Sequence, residues 1–209
     1  MSKNNFIYLH TKNGIIKRVN KIWGLSITFK GNNSVVNIYE PCHFKFQVGS
    51  KRSHIVVNGD NNVINIQSNT KTKIKSLRIR AVGSNNTINI GKNISMSDGV
   101  DIDFANTNNL FLHIGDDCLF GQSVKFMLGD HHKIFSLNDR KEINIPQKGI
   151  YIGDNVWLAR KVTIMKDSKV SNNSVVGYGS LVTKKFEKEN VIIAGVPAKI
   201  VKENIYWRY

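Results

Sequence analysis

The sequence predicts an all-β fold, a parallel β-helix with three-sided coils, on the evidence of two internal repeats. The sharper repeat places aliphatic residues at a strict spacing of six. Such a period fits neither an α-helix nor an alternating strand. It fits a triangular solenoid in which each hexapeptide forms one flat side and one corner, with the aliphatic side chain pointing inward. These positions are Ile152, Leu158, Ile164, Val170, Val176 and Val182.

The second repeat is an octapeptide that opens with glycine and polar corner residues. Its three copies are GNNSVVNI at 31–38, GDNNVINI at 59–66 and GSNNTINI at 83–90. Glycine and asparagine tolerate the positive φ of a sharp corner, and the alternating ending is typical of a short strand. The first two copies begin further apart than the last two, which predicts stacked coils with loops of variable length.

The spacing of six continues upstream and breaks once. Ile114, Phe120 and Phe126 keep the register, as do three earlier positions, but the interval from Phe126 to Ile152 is not a multiple of six. Residues 129–149 are therefore predicted to form a loop ejected from the coil. Because functional residues concentrate on loops held by a rigid scaffold, this loop is the candidate active-site loop. The three earlier positions are Ile90, Met96 and Ile102.

The chain is expected to form a single β-helix domain over residues 1–209. Irregular, asparagine-rich coils are expected at 1–90 and hexapeptide coils at 90–183. The C-terminal segment 184–209 is expected to be a short helix or an extended tail.

The charge of the chain is high and uneven. Thirty Lys and Arg against 15 Asp and Glu give a net charge of +15, and residues 1–80 hold 14 of the basic residues against two acidic ones. Such a field favours polyanions, whether nucleic acid, an anionic membrane or an acidic polysaccharide. No apolar run approaches the roughly 20 residues of a membrane span, and no signal peptide is evident. The expected compartment is the cytoplasm, with peripheral contact to the inner membrane as an open alternative.

The aliphatic hexads, IGDNVW at 152–157 and AGVPAK at 194–199 resemble the hexapeptide-repeat acyltransferases. Within that family, HKIFSL at 132–137, VWL at 156–158 and PAKIVKEN at 197–204 resemble the bacterial polysialic acid and capsule O-acetyltransferases. The resemblance is strongest over residues 110–205. It implies a left-handed helix, a homotrimer with active sites between subunits, and acetyl-coenzyme A as the acetyl donor.

The resemblance also implies roles for individual residues. His132 matches the catalytic histidine, which suits a general base near neutral pH. Trp157 matches a tryptophan that lines the acceptor and thioester pocket. His131 is expected to pack or to face solvent, and Asp130 to orient the imidazole or to shape the turn. The expected coenzyme-binding residues are Ala159, Arg160, Lys166, Tyr178, Ser180, Lys184, Lys185 and Lys199, and Asn138, Arg140, Lys141 and Asn144 are expected to meet the acceptor.

The resulting expectation is an O-acetyltransferase acting on an acidic surface polysaccharide. The alternative on the same fold is an N-acetyltransferase of an amino sugar or antibiotic. A nucleic-acid-binding solenoid would explain the charge, but the sequence contains no recognised nucleic-acid module, and a β-helix with a decayed site conflicts with the pair His132 and Trp157. No metal is expected, because adjacent His131 and His132 with a separate His113 give poor ligand geometry. Cys118 is expected to be a small buried residue rather than a nucleophile.

Overall fold

A computed structural model describes residues 4–44, 52–69 and 74–208. Residues 1–3, 45–51, 70–73 and 209 of the predicted segments lie outside the described residues. In chain order the first strands are β1 (Phe6–His10), β2 (Ile16–Val19), β3 (Leu25–Phe29), β4 (Val35–Tyr39), β5 (Ser53–Asn58), β6 (Val63–Ile66), β7 (Leu77–Val82), β8 (Thr87–Ile90), β9 (Ser95–Met96), β10 (Val100–Asp103) and β11 (Phe111–Ile114). They are followed by β12 (Leu119–Phe120), β13 (Lys125–Met127), β14 (Gly149–Ile152), β15 (Trp157–Leu158), β16 (Thr163–Met165), β17 (Lys169–Val170), β18 (Val175–Val176), β19 (Leu181–Val182), β20 (Lys185–Phe186), β21 (Ile192–Gly195) and β22 (Ala198–Lys202).

The strands form three sheets, which are the three sides of a triangular coil. Sheet A has the order β2-β1-β4-β6-β8-β11-β14-β17-β20, sheet B the order β19-β16-β13-β10-β7-β5-β3, and sheet C the order β22-β21-β18-β15-β12-β9. Successive coils pair in parallel, and antiparallel pairing of named strands occurs at β1–β2 and β21–β22. The predicted parallel β-helix is confirmed.

The hexad positions form the core, with one inward column for each sheet. Every member of these columns is at most 4% exposed. Each side chain stacks on its counterpart one coil away, so the predicted inward stacking is confirmed. The columns are Ile90–Ile114–Ile152–Val170–Phe186 in sheet A, Ile102–Phe126–Ile164–Val182 in sheet B and Met96–Phe120–Leu158–Val176–Ile193 in sheet C.

Glycine and asparagine make the corners of the octapeptide coils. A Cβ on Gly59 would lie 2.1 Å from the carbonyl oxygen of Gly83 on the next coil, so only glycine allows the coils to approach this closely. Two positions later Asn61 has a φ of 57°, in the left-handed region that asparagine tolerates best after glycine.

Two predicted boundaries need correction. The loop runs between β13 and β14, so Gly149 belongs to β14 rather than to the loop. The coil also continues past residue 183, because Phe186 and Ile193 remain in the inward columns. The C-terminal segment then folds back as the antiparallel pair β21–β22 and continues as an extended tail. No helix occurs among the residues that the structure describes.

Candidate active site

A closed hydrogen-bond network holds the base of the ejected loop. The Asn144 amide nitrogen donates to Asp130 Oδ2 at 2.7 Å and to the His132 carbonyl at 2.9 Å. Its oxygen accepts from the backbone N–H of Ile134 at 2.8 Å. Lys166, which follows β16 on the adjoining coil, donates to Asp130 and to the Asn144 carbonyl. The loop therefore has a defined shape where His132 is presented.

Asp130 is ionised within this network. Desolvation alone would raise its pKa, but the hydrogen bonds from Lys166 and Asn144, together with the positive charge of Lys166, hold the pKa of Asp130 below its ordinary value. The carboxylate binds these two groups rather than the His132 ring, and the His132 N–H donates to the Asp130 carbonyl. Asp130 therefore shapes the turn, the second of the two expected roles.

The His132 side chain is exposed on this loop. Among the described residues no side-chain hydrogen bond or ion pair involves its imidazole. Its backbone, by contrast, is held on both sides, by Asp130 and by Asn144. An accessible imidazole on a fixed backbone is available to remove a proton from a bound hydroxyl.

His131 has a defined partner that the sequence did not reveal. Its Nε2 lies 3.0 Å from Oδ2 of Asp103, whose side chain is only 2% exposed. Asp103 also pairs with Arg80 and accepts from the backbone N–H of Ala105 at 3.0 Å. The His131 ring is thus tied to sheet B although half of it faces solvent. A signal existed in the matching strands RIR at 78–80 and DID at 101–103, which face each other in register.

Trp157 lies on a different side of the coil from His132. It is the first residue of β15 in sheet C, whereas the loop connects sheet B to sheet A. Its side chain is 38% exposed, and its ring packs against Trp207 with centroids 5.9 Å apart. Among the described residues no hydrogen bond or ring contact joins Trp157 to His132. One chain alone does not bring the two predicted catalytic residues together.

Four of the expected coenzyme contacts lie at the corner between sheets C and B, and three of them reach the surface. Ala159 follows β15, and its N–H donates to the Val176 carbonyl at 2.9 Å. The Arg160 carbonyl accepts from Gly179 N–H at 3.0 Å, while its side chain bonds to Gln122. Tyr178 is 65% exposed, with the Lys161 ammonium 5.7 Å from its ring centroid. This corner offers a small side chain, an aromatic face and two cations, a combination that suits a thin arm and an anionic end.

Of the other expected coenzyme contacts, Ser180 lies at the same corner but is buried, and the four lysines lie elsewhere. Ser180 is 1% exposed and its hydroxyl accepts from Gly195 N–H at 3.1 Å, which leaves it no access to a ligand. Lys166 is committed to the loop network. Lys184 lies at the corner between sheets B and A, Lys185 on the outer face of sheet A and Lys199 on β22. The structure therefore does not gather these lysines around Tyr178.

The expected acceptor contacts divide into two groups. Asn138, Arg140 and Lys141 are exposed at the far end of the loop, where Lys141 Nζ lies 3.4 Å from Asp139. Asn144 does not share that position, because its side-chain amide and its carbonyl oxygen are hydrogen-bonded in the network at the loop base. The sequence pattern could not distinguish these contacts from ligand binding.

Cys118 is 1% exposed, as expected, and burial raises the pKa of its thiol to about 12. A thiol with that pKa is a poor nucleophile near neutral pH. No cluster of three or more histidine, cysteine or acidic side chains suited to a metal occurs within residues 4–44, 52–69 and 74–208. Within the same residues no helix is long and apolar enough to span a membrane.

The chain is similar to two curated polysialic acid O-acetyltransferases. The one from Neisseria meningitidis is 35% identical over an alignment of 176 positions that covers 74% of this chain and 79% of the relative. The one from Escherichia coli O1:K1 is 34% identical over 142 residues, which are 68% of this chain but 44% of the relative. The chain thus spans less than half the length of the second relative. No protein-family profile matches the chain.

The fold matches a solved relative over nearly its whole length. The crystal structure of the polySia-specific acetyltransferase NeuO covers 99% of this chain and 86% of its own, with a TM-score of 0.79 and 29% identity. The coils and the histidine loop therefore define a left-handed β-helix of the acyltransferase class. The chain belongs to the family of hexapeptide-repeat acetyltransferases that includes the polysialic acid O-acetyltransferases.

Proposed function

We propose that the chain transfers acetyl groups from acetyl-coenzyme A to hydroxyls of an acidic bacterial surface polysaccharide such as polysialic acid. The observation that carries this proposal is the exposed imidazole of His132 on a loop fixed by Asp130, Asn144 and Lys166. The similarity to relatives named for O-acetylation of polysialic acid supports the same reaction.

The chemistry needs one base and one positioned thioester. His132 removes the proton of the sugar hydroxyl as its oxygen bonds to the acetyl carbonyl carbon. When the tetrahedral intermediate collapses, the carbon–sulfur bond breaks. The imidazolium then returns the proton to the leaving sulfur, so that coenzyme A departs as a thiol and the histidine is ready for another cycle.

The charge distribution supports an anionic acceptor. Residues 1–80 contain 14 basic and two acidic residues, and this excess extends along the coils that precede the loop. A positive field of this kind concentrates a polyanion near the protein and steers it on approach. An acidic polysaccharide therefore suits the chain better than a neutral sugar.

The assembly proposed is a homotrimer in the cytoplasm, with each site completed between neighbouring copies. His132 projects between sheets B and A, while Trp157 lies on sheet C and the aromatic corner of Tyr178 between sheets C and B. Since a single chain separates these groups, the loop of one copy would reach the tryptophan and the coenzyme of its neighbour.

The variant His132→Ala tests the proposal. We expect turnover on polysialic acid to fall by roughly 10²- to 10⁴-fold, the usual contribution of a general base. Coenzyme A binding, measured by calorimetry, should persist. His54→Ala, which changes a histidine on the outer face of β5, three strands along sheet B from β13, is the matched control and should keep normal turnover.

Two outcomes would contradict the proposal. Normal turnover by His132→Ala would remove the histidine from catalysis. Acetylation of amino sugars or antibiotics alone, with none of polysialic acid, would replace O-acetylation by N-acetylation.

A further inference from the structure

The C-terminal tail runs back along the corner between sheets A and C. After β22 the backbone N–H of Ile205 donates to the Asn190 carbonyl at 3.0 Å, and the Asn190 side chain donates to the Ile205 carbonyl at 3.2 Å. Asn190 belongs to a column of corner residues with Asn155 and Asn173. The Asn155 side chain donates to the Asn173 side chain at 3.0 Å. The tail therefore crosses earlier coils in a fixed register.

The tail ends its described course on the coil that contains Trp157. The Trp207 indole N–H donates to the Asn155 carbonyl at 2.9 Å, two positions before Trp157. The two indole rings are 5.9 Å apart at 44°, a tilted arrangement within the favourable range for aromatic pairs. Trp207 is partly buried, whereas its neighbours Tyr206 and Arg208 are exposed. Trp207, rather than either of its two neighbours, therefore packs against Trp157.

The contact places the Trp207 ring against the Trp157 ring. The Trp157 side chain is 38% exposed and lies on the outer face of sheet C. Such a side chain has several rotamers available unless a neighbour excludes them. The Trp207 ring occupies the space beside the Trp157 ring, and its indole N–H bonds to the carbonyl of Asn155, in the stretch of backbone from which Trp157 projects.

We propose that Trp207 is a positioning residue, which holds the indole of Trp157 in the orientation that the acetyl-transfer site requires. The inference rests on the proposed function, since Trp157 is the residue through which Trp207 acts. It adds the extreme C-terminus to the active site although this segment contains no group that reacts.

The pair itself is tested without any substrate. Two close indoles couple in the far-ultraviolet and give a circular-dichroism couplet. We expect Trp207→Phe and Trp157→Phe each to abolish it, and Tyr206→Ala, the matched change of an exposed aromatic in the same tail, to keep it. A couplet that survives Trp207→Phe would overturn the inference.

The functional consequence is tested by a double-mutant cycle. Trp207→Ala should lower kcat/KM on polysialic acid by about 2- to 10-fold, the equivalent of one aromatic pair, and Trp207→Phe should recover most of the loss. In a Trp157→Ala background, Trp207→Ala should cost nothing more. An equal loss in both backgrounds would assign Trp207 a role independent of Trp157 and overturn the inference.

The failure of the proposed function would look different. A wild-type protein that shows the couplet but acetylates no hydroxyl acceptor would contradict the proposed reaction and leave the tryptophan pair intact. An active enzyme in which Trp207→Ala has normal kinetics would contradict the inference and leave the reaction intact.

Discussion

The octapeptide coils of residues 31–90 and the hexapeptide coils of residues 150–182 share one triangular cross-section but are stabilised differently. The octapeptide coils are the longer ones: Ile64 pairs with Ile88 on the next coil, and buried amides link the coils at the corners. In the hexapeptide coils Ile152 already pairs with Val170, and small side chains fill the corners. Longer coils leave room at the corners. Asparagine side chains fill that room, and their amides form hydrogen bonds with backbone N–H and C=O groups.

The two regions also differ in their charge and in the proposed catalytic residues that they contain. The octapeptide coils lie in the strongly basic part of the chain, whereas the histidine loop and the exposed Trp157 belong to the hexapeptide part. The comparison therefore suggests that one region attracts the acceptor and the other transforms it. Four substitutions test how these parts of the molecule contribute to stability and to acceptor binding.

The largest effect is expected in the apolar core, at the inward position that precedes the histidine loop. Phe126 is fully buried and packs on Phe120 with ring centroids 5.5 Å apart. Phe126→Ala should lower the free energy of unfolding by about 3–5 kcal/mol, because it removes apolar contacts and leaves a cavity. Urea unfolding would measure it, and a loss below about 1 kcal/mol would show that the coil collapses around the gap.

A smaller loss is expected from a buried amide of the octapeptide coils. Asn62 is 1% exposed, donates to the Gly83 carbonyl at 2.8 Å and accepts from Asn86 N–H at 3.0 Å. Asn62→Ala leaves both backbone groups unpaired and should cost roughly 1–3 kcal/mol in unfolding free energy. The exposed neighbour provides the control, since Asn61→Gly keeps the positive φ and should change stability by a few tenths of a kcal/mol. Equal losses in the two variants would refute the importance of the buried amide.

Replacing Asp103, which binds His131 of the loop, should change the free energy of unfolding in a pH-dependent way. Burial alone would raise the pKa of Asp103, but the hydrogen bond from Ala105 and the interactions with Arg80 and His131 outweigh it and hold the pKa below its ordinary value. A carboxyl with a lowered folded pKa stabilises the protein above its unfolded pKa of about 3.9, and that contribution is lost as the pH falls through the folded value. Asp103→Asn should therefore cost about 1 kcal/mol near pH 7, and the difference from wild type should shrink below pH 4. A difference that is constant with pH would exclude an ionised anchor.

The smallest effect is expected from the surface charge. Replacing the exposed Lys12 and Lys30 by glutamate should raise the KM for polysialic acid roughly 2- to 5-fold, and added salt should reduce the difference. A neutral galactoside is the matched control acceptor, and its KM should not respond. If both acceptors respond alike, the basic N-terminal residues act on folding or on the coenzyme rather than on acceptor charge.

Much of the fold followed from periodicity. A strict spacing of six dictates which side chains point inward, so the members of the three core columns up to Val182 could be predicted from the sequence. The handedness came instead from family resemblance, because the repeat itself permits either hand. The continuation of the coil through Phe186 and Ile193 was missed, since the spacing changes there while the inward positions remain apolar.

The site was less predictable than the fold. Motifs singled out His132 and Trp157, and both are exposed in the structure, but polar residues in a loop look alike whether they bind a ligand or one another. Asn144 and Lys166 form hydrogen bonds within the loop network. Ser180 is buried, and its hydroxyl accepts a hydrogen bond from Gly195. Contacts between residues distant in sequence, such as Trp157 with Trp207, depend on the path of the tail and leave no local pattern.

The hairpins at the two ends of the coil affect solubility. A stack of parallel coils exposes unpaired backbone at its ends, where another chain could continue the sheets. In this protein the final strand of sheet A at one end, β2, and that of sheet C at the other, β22, run against the direction of the coils. A second molecule cannot extend those two edges by adding another coil in the same sense, so the hairpins oppose end-to-end growth into fibres.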